Sequence, residues 1–402
     1  MDDIDQFFQN SDYNTIRVLL SAAGLWPFHT RIRRYAINLV IMLIIGCDFI
    51  FQLLDTIAIR HDFFAVIHSL PLILGTIIII NKTICSIYNL PQIKILLTMM
   101  YEYSISLKSD EEIKLHNLRV QNGRKLCNAY MGFIVSHSIL YYIISSLMIF
   151  YTKYIETEEL SNNTLHDQIS GIPNSINSTL VDEDTESLPI FIYSIVSDCV
   201  IMFTITVSDV LYVTMTEYCC GLFAALRYRL EFALEFDNDE LTMLDNKSYL
   251  NVVYSIRRHT ETIQFVTNLE AIFSSNLMVH VGLLVLILAC LVYEVTVIGK
   301  VMGTNYIIQT IAYLNFILLN IFFENWQGQK IIDSSEKVFE SAYNAEWYSM
   351  PIASRKLLIM LMMKTEKPLM LRMGKLVVLS YVTFNAVLRT SSSYFMLLQS
   401  LQ

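Results

Sequence analysis

Seven apolar runs, each close to the length of a membrane span, constrain this chain more than any other feature. They lie near residues 35–57, 64–84, 129–151, 190–213, 272–293, 304–323 and 374–398. A transmembrane helix needs roughly 20 such residues, whereas a barrel strand needs about 10. In lipid the backbone satisfies its own polar groups only as a helix or a closed barrel, so runs this long predict an all-α membrane protein. Composition agrees, with 54% hydrophobic and 16% charged residues against about 45–50% and 25% in soluble domains. The N-terminus, MDDIDQFFQN, is acidic where a secretory leader is basic, so the first run reads as a retained span.

Orientation follows from the distribution of Lys and Arg. The segment before the first run holds Arg17, Arg31, Arg33 and Arg34, and the connections between runs 2–3, 4–5 and 6–7 are similarly basic. The other three connections carry one basic residue each: Arg60, Lys153 and Lys300. With seven spans this predicts a cytoplasmic N-terminus and an extracellular C-terminus. The acidic 152–189 loop bears glycosylation sequons at Asn162 and Asn177 and reads as an outer loop; those at Asn81 and Asn246 fall inside. The long inner connections keep helical spacing, as in Leu222, Leu226, Leu230 and Leu234. Spans three to six are therefore expected to continue as helices into a cytoplasmic bundle suited to holding subunits together.

Little in the sequence supports enzymatic chemistry. There is no Gly-rich phosphate loop and no HExxH, CxxC or GxSxG motif, so no catalytic residue, metal or cofactor is expected. No basic patch suggests nucleic acid, and the partners to look for are membrane lipid and other proteins. The seven cysteines avoid the outer loops, so no structural disulfide is expected. His68, His137 and His280 stand singly in apolar runs and read as hydrogen-bonded interior residues. Acids inside spans point to partners or water: Asp48 and Asp55 in run one, Asp198 and Asp209 in run four. Asp209 reads as solvated or paired with Arg227 or Arg229.

The outer halves of runs two, three, four and six are rich in aromatic and small hydroxyl residues. Phe64 and Ile67, then Tyr141, Tyr142 and Ser145, then Tyr193, Ser197 and Ile201, then Tyr306, Thr310 and Tyr313 fall at one depth. Such a lining suits a small, mostly apolar ligand held by dispersion and one or two hydrogen bonds. In the last run, Ser380, Thr383, Val387, Thr390, Tyr394, Leu397 and Leu401 recur at spacings of three and four and share one helical face. Hydroxyls giving way to leucines suit one wall of a gated pore. They equally suit a packing seam, and the stripe alone leaves both open.

The C-terminal stretch carries a resemblance. YNAEWYSMP (343–351), a following basic amphipathic helix, KPLMLRMGK and the terminal SSSYFMLLQSL are similar to the C-terminal signature of insect odorant receptors. The resemblance implies a ligand-gated, non-selective cation channel in the plasma membrane of olfactory sensory neurons. It implies a heterotetramer with a shared co-receptor and a small volatile odorant as ligand. It makes the last helix pore-lining, with a gate at Leu397 and Leu401, and sets the odorant pocket between spans two, three, four and six. The connection between spans four and five lacks the co-receptor's long insertion, which implies an odour-tuning subunit. Four segments follow: a cytoplasmic N-terminal segment (1–34), spans one to six with the outer pocket (35–323), a cytoplasmic anchor (324–373) and pore helix seven (374–402). A gustatory receptor-type channel is the near alternative and a metabotropic seven-helix receptor a remoter one; the charge bias disfavours the second.

Overall fold

A computed structural model describes residues 2–106, 110–161, 187–232, 241–298 and 304–400, almost all of them helical. Two short helices, α1 (Asp2–Asn10) and α2 (Asn14–Ala22), open the chain. Asp5 accepts hydrogen bonds from Arg17 at 2.9 and 2.6 Å and from Trp26 Nε1 at 2.9 Å. The Arg17 guanidinium holds the Asp5 carboxyl below the usual carboxylate range. Phe8, Tyr13 and Trp26 are buried, and Tyr13 meets Tyr218 edge-on. The N-terminal segment is thus a docked cap.

The apolar runs become long helices. In chain order these are α3 (Arg31–Ala58), α4 (Phe63–Tyr88), α5 (Leu90–Ser106), α6 (Asp110–Ser161), α7 (Ser187–Glu231), α8 (Leu241–Tyr293, ending in a π-turn over Glu294–Ile298), α9 (Thr304–Asn344), α10 (Ile352–Thr365) and α11 (Tyr381–Ser400). Among the described residues, six of them (α3, α4, α6, α7, α8 and α9) are long and apolar enough to cross a membrane. The seventh, α11, is interrupted by Asn385, Arg389 and the hydroxyls of 390–393. Helices α6 to α9 run 52, 45, 53 and 41 residues, about twice a span of roughly 20. The inner half of α8 packs with α5 and α10, and that of α9 with α10. Buried cations lock this bundle: Arg229 pairs with Glu112 at 2.6 Å and lies over the Tyr254 ring at 3.9 Å, and Arg258 lies over Tyr103 at 4.5 Å.

The seventh helix starts later than the hydropathy implies. Residues 374–380, expected in it, instead finish a hairpin whose strands β1 (Arg372–Met373) and β2 (Val377–Val378) pair antiparallel. The turn takes Gly374 and Lys375 at φ +56° and +63°, a left-handed region open to glycine at little cost. Gly374 N–H donates to Ser274 of α8, pinning the hairpin there. Alternating burial at Leu371 and Met373 shows the period of two that a strand imposes.

The hairpin seats the last helix against α9 through one glycine. A Cβ on Gly328 would fall 2.4 Å from Leu379 Cβ and 2.6 Å from its carbonyl oxygen. The obstacle is partly backbone and has no rotamer escape. Gly328→Ala should therefore destabilise by at least the ~1–3 kcal/mol of ordinary overpacking, read as a lower thermal midpoint of the purified protein. An unchanged midpoint would mean that α9 and the hairpin separate freely.

Candidate ligand pocket and pore helix

The aromatic convergence expected at the outer side divides into two groups. Tyr141 and Tyr142 of α6 meet edge to face at 6.1 Å, and the Tyr142 hydroxyl donates to Asp198 Oδ2 of α7 at 2.9 Å. Tyr313 of α9 reaches across to α4, donating to the Pro71 carbonyl at 3.4 Å, and lies within electrostatic range of Tyr141 and Glu294. The absence of a side chain at Gly75 gives it room, since a Cβ there would sit 3.1 Å from the Tyr313 oxygen. Tyr141, Tyr142, Asp198 and Tyr313 thus bridge α4, α6, α7 and α9. Thr310 is buried on α9.

Five other expected lining residues turn elsewhere. Tyr193, Ser197 and Ile201 recur every fourth residue, and that face of α7 packs against the first spans. Tyr193 donates to the Ile44 carbonyl at 3.3 Å and meets Phe51 at 5.6 Å, Ser197 lies beside Asp48, and Ile201 packs with Ile41, Ile45 and Ile79. One residue further round the helix, Asp198 is the side chain that faces α6. Ile67 packs with Cys290 and Tyr293 of α8, beside Phe395 and Leu398 of α11. Phe64 sits in the exposed first turn of α4, where its N–H donates to Asp62 at 2.9 Å. The side chains of Ser145, Tyr306 and Leu401, and the sequons at Asn162 and Asn177, lie outside the described residues.

Three of the four acids noted inside spans meet side-chain partners, Asp48 a neighbour one turn along and Asp198 and Asp209 residues remote in sequence, whereas Asp55 Oδ2 is buried without a hydrogen bond. Asp48 accepts from Gln52 at 2.7 Å, and Gln52 accepts from Thr76 of α4 at 3.0 Å. Asp209 bonds to Lys82 of α4 at 2.8 Å, while Arg229 pairs with Glu112 and Arg227 with Ser341. The sequence reading passed over Lys82, Glu294 and Glu324, although Lys82 stands inside a strongly apolar run. The three histidines of the apolar runs have partners, His68 with Glu294 at 3.3 Å, His137 with the Ala312 carbonyl at 3.1 Å and His280 with Glu324 at 3.0 Å, although His68 is exposed and not interior.

Helix α11 is covered unevenly by its own subunit. Thr383, Val387 and Ser391 are buried, with Phe384, Leu388, Phe395 and Leu398 partly so. Ser380 precedes the helix and caps it, accepting from Thr383 N–H at 3.4 Å. The inner part of the expected stripe (Ser380, Thr383, Val387) therefore turns into the subunit. There α9 flanks the helix as well as α8, with Phe322 against Tyr381 and Phe384 at 6.3 and 5.5 Å. Further out the flanking is sparser. Thr390 is exposed, as are Tyr394 at 44% and Leu397 at 55%.

With this architecture in view, residues 62–392 match the family described as the 7tm odorant receptors. The chain belongs to the odorant receptor family. Among curated relatives, the odorant receptor coreceptor of Drosophila melanogaster is 25% identical over 152 residues, 38% of this chain and 31% of that protein. Odorant receptor 67b of Drosophila melanogaster is 24% identical over 192 residues, 48% of this receptor and 44% of its own length. Odorant receptor 10 of Aedes albopictus is 25% identical over 171 residues, 42% and 45%. The receptor thus matches these relatives over about a third to under half of their lengths. Among solved structures, the olfactory receptor OR5 of Machilis hrabei in complex with eugenol has a TM-score of 0.76 at 13% identity, with 97% of both chains covered. At that identity the likeness is one of fold.

Proposed function

We propose that this receptor is an odour-tuning subunit of an odorant-gated, non-selective cation channel, working with a shared co-receptor in the plasma membrane of olfactory neurons. The observation that carries the reading is the uncovered face of α11. Asn385, Arg389, Thr390, Ser392, Ser393 and Gln399 are exposed in the single subunit at membrane depth, where lipid cannot satisfy polar groups. A water-filled lumen satisfies Thr390, and neighbouring subunits cover the others, which lie on the Met396 side of the helix. With the inner stripe buried, we take Thr390, Tyr394 and Leu397 as the pore-facing set. An odorant that binds the open state better than the closed one shifts the equilibrium by its differential affinity. Currents carried with the co-receptor should persist when G-protein signalling is blocked; their disappearance overturns the channel reading.

The tyrosine group is the part of the outer lining that favours a ligand. Tyr142, Tyr141 and Tyr313 present ring surface to an apolar body, and Asp198 sets a hydrogen-bonding corner. Tyr142→Phe removes the donor that orients Asp198, a neutral-to-charged bond of about 1.5–3 kcal/mol when buried and less at this half-exposed pair. Half-maximal concentrations for alcohols or phenols should shift by about 3- to 10-fold, with hydrocarbon ligands unmoved. Equal shifts for both classes would remove the pair from the pocket.

A further inference from the structure

Five helices of the receptor meet in one buried charged cluster near the cytoplasmic ends of the spans. Lys82 Nζ of α4 donates to Asp209 Oδ1 of α7 at 2.8 Å and to Glu324 Oε1 of α9 at 3.1 Å. Tyr130 of α6 donates to Asp209 Oδ2 at 2.5 Å, and Asn320 donates to the Tyr130 oxygen at 2.9 Å and to Asp209 Oδ2 at 3.0 Å. His280 of α8 brings Nδ1 to 3.0 Å from Glu324 Oε2, and the Tyr212 hydroxyl donates to the Glu324 carbonyl at 3.3 Å. The side chains of Lys82, Asp209, Glu324 and His280 are 4–6% exposed.

The charges around Lys82 do not balance without a fourth member. One ammonium faces two carboxylates, and an uncompensated charge in a low-dielectric interior costs several kcal/mol. Besides Lys82, His280 is the basic side chain in contact with either acid among the described residues. Its Nδ1 stands at ion-pair distance from Glu324, 3.0 Å from Oε2. We infer that Lys82, Asp209, Glu324 and His280 form one buried knot tying pocket helices α4, α7 and α9 to α8. Helix α8 packs along α11, and its Cys290 and Tyr293 adjoin Phe395 and Leu398 near the outer end of that helix. The knot therefore positions α8, and through it the pore helix, relative to the pocket helices. Its role in gating rests on the channel reading; the contact network itself does not.

The test is a double-variant cycle. His280→Gln and Glu324→Gln each break the contact between α8 and α9 and strand the partner side chain, while the double variant removes both ends and leaves Lys82 paired with Asp209. Each is expressed with the co-receptor and read for basal-to-maximal current, surface delivery and the thermal midpoint of purified receptor. Each single variant should change the basal-to-maximal ratio by about tenfold or more and lower the midpoint, and the double should return to within about threefold of wild type. Single effects that simply add in the double overturn the knot. If neither single variant reaches the surface, recovered delivery in the double supports the knot and continued retention overturns it. A wild type that passes no odorant current overturns the channel reading and the gating role with it. The ion pair is then scored on the midpoint, where additivity again overturns it.

Discussion

On the proposed channel reading, Leu397→Ser should leave the receptor conducting without odorant. Leu397 is 55% exposed near the outer end of α11, on the side turned from the Phe395 and Leu398 contacts with α4 and α8. Copies of such a residue around an axis close a pore by excluding water, and cations do not shed their hydration to pass. A leucine side chain contributes roughly 1.5–3 kcal/mol when fully removed from water. Losing even half of that from the closed state of this subunit shifts the closed-to-open ratio by about 3- to 10-fold at ~1.4 kcal/mol per decade. Basal current should rise by that factor while the odorant-evoked increment shrinks. Met396, 66% exposed and about 100° round the helix, is the control: Met396→Ser should leave basal current near wild type. If Met396→Ser opens the channel and Leu397→Ser does not, the pore-facing side of α11 is the other one.

What could be read ahead of the structure follows the physics of each signal. The spans were legible because lipid imposes a length and a composition on a helix regardless of its neighbours, and the long inner helices because Leu222 to Leu234 keep one spacing. The start of α11 was not legible, since Val377, Val378 and Leu379 are as apolar as a span and hydropathy does not see Gly374. That glycine, flanked by alternating Leu371 and Met373, was the available sign of a turn. In the outer lining, depth along a span was legible and direction around the helix was not. Tyr193, Ser197 and Ile201 lie at the expected level but on the face of α7 that meets α3, while Asp198, one residue along, meets Tyr142. Lys82 was missed for a different reason: its partners Asp209 and Glu324 lie 127 and 242 residues away in sequence, and no spacing rule reaches that far.

Lys82→Met should prevent the receptor from reaching the cell surface. Methionine fills much of the lysine volume, so packing changes little and the loss is electrostatic. Asp209 and Glu324, held 2.8 and 3.1 Å from the ammonium, would be left as two buried carboxylates facing each other across an apolar side chain. Removing one partner of a buried pair typically costs about 3–5 kcal/mol, a large share of the ~5–15 kcal/mol that separates folded from unfolded protein. Protonation of one carboxyl would relieve part of this, so the variant is expected to be retained and thermally labile rather than wholly unfolded. The compensated triple variant distinguishes charge from shape. Lys82→Met with Asp209→Asn and Glu324→Gln removes all three charges at nearly constant volume and keeps groups able to hydrogen-bond Tyr130 and Asn320. Its surface delivery should recover to at least about half of wild type, because replacing a whole buried ion group is far milder than breaking it. Wild-type delivery of Lys82→Met alone would show that the acids are solvated or protonated in the folded receptor and that the lysine holds nothing together. A triple variant as poorly delivered as the single would assign the loss to packing around the lysine stem on α4.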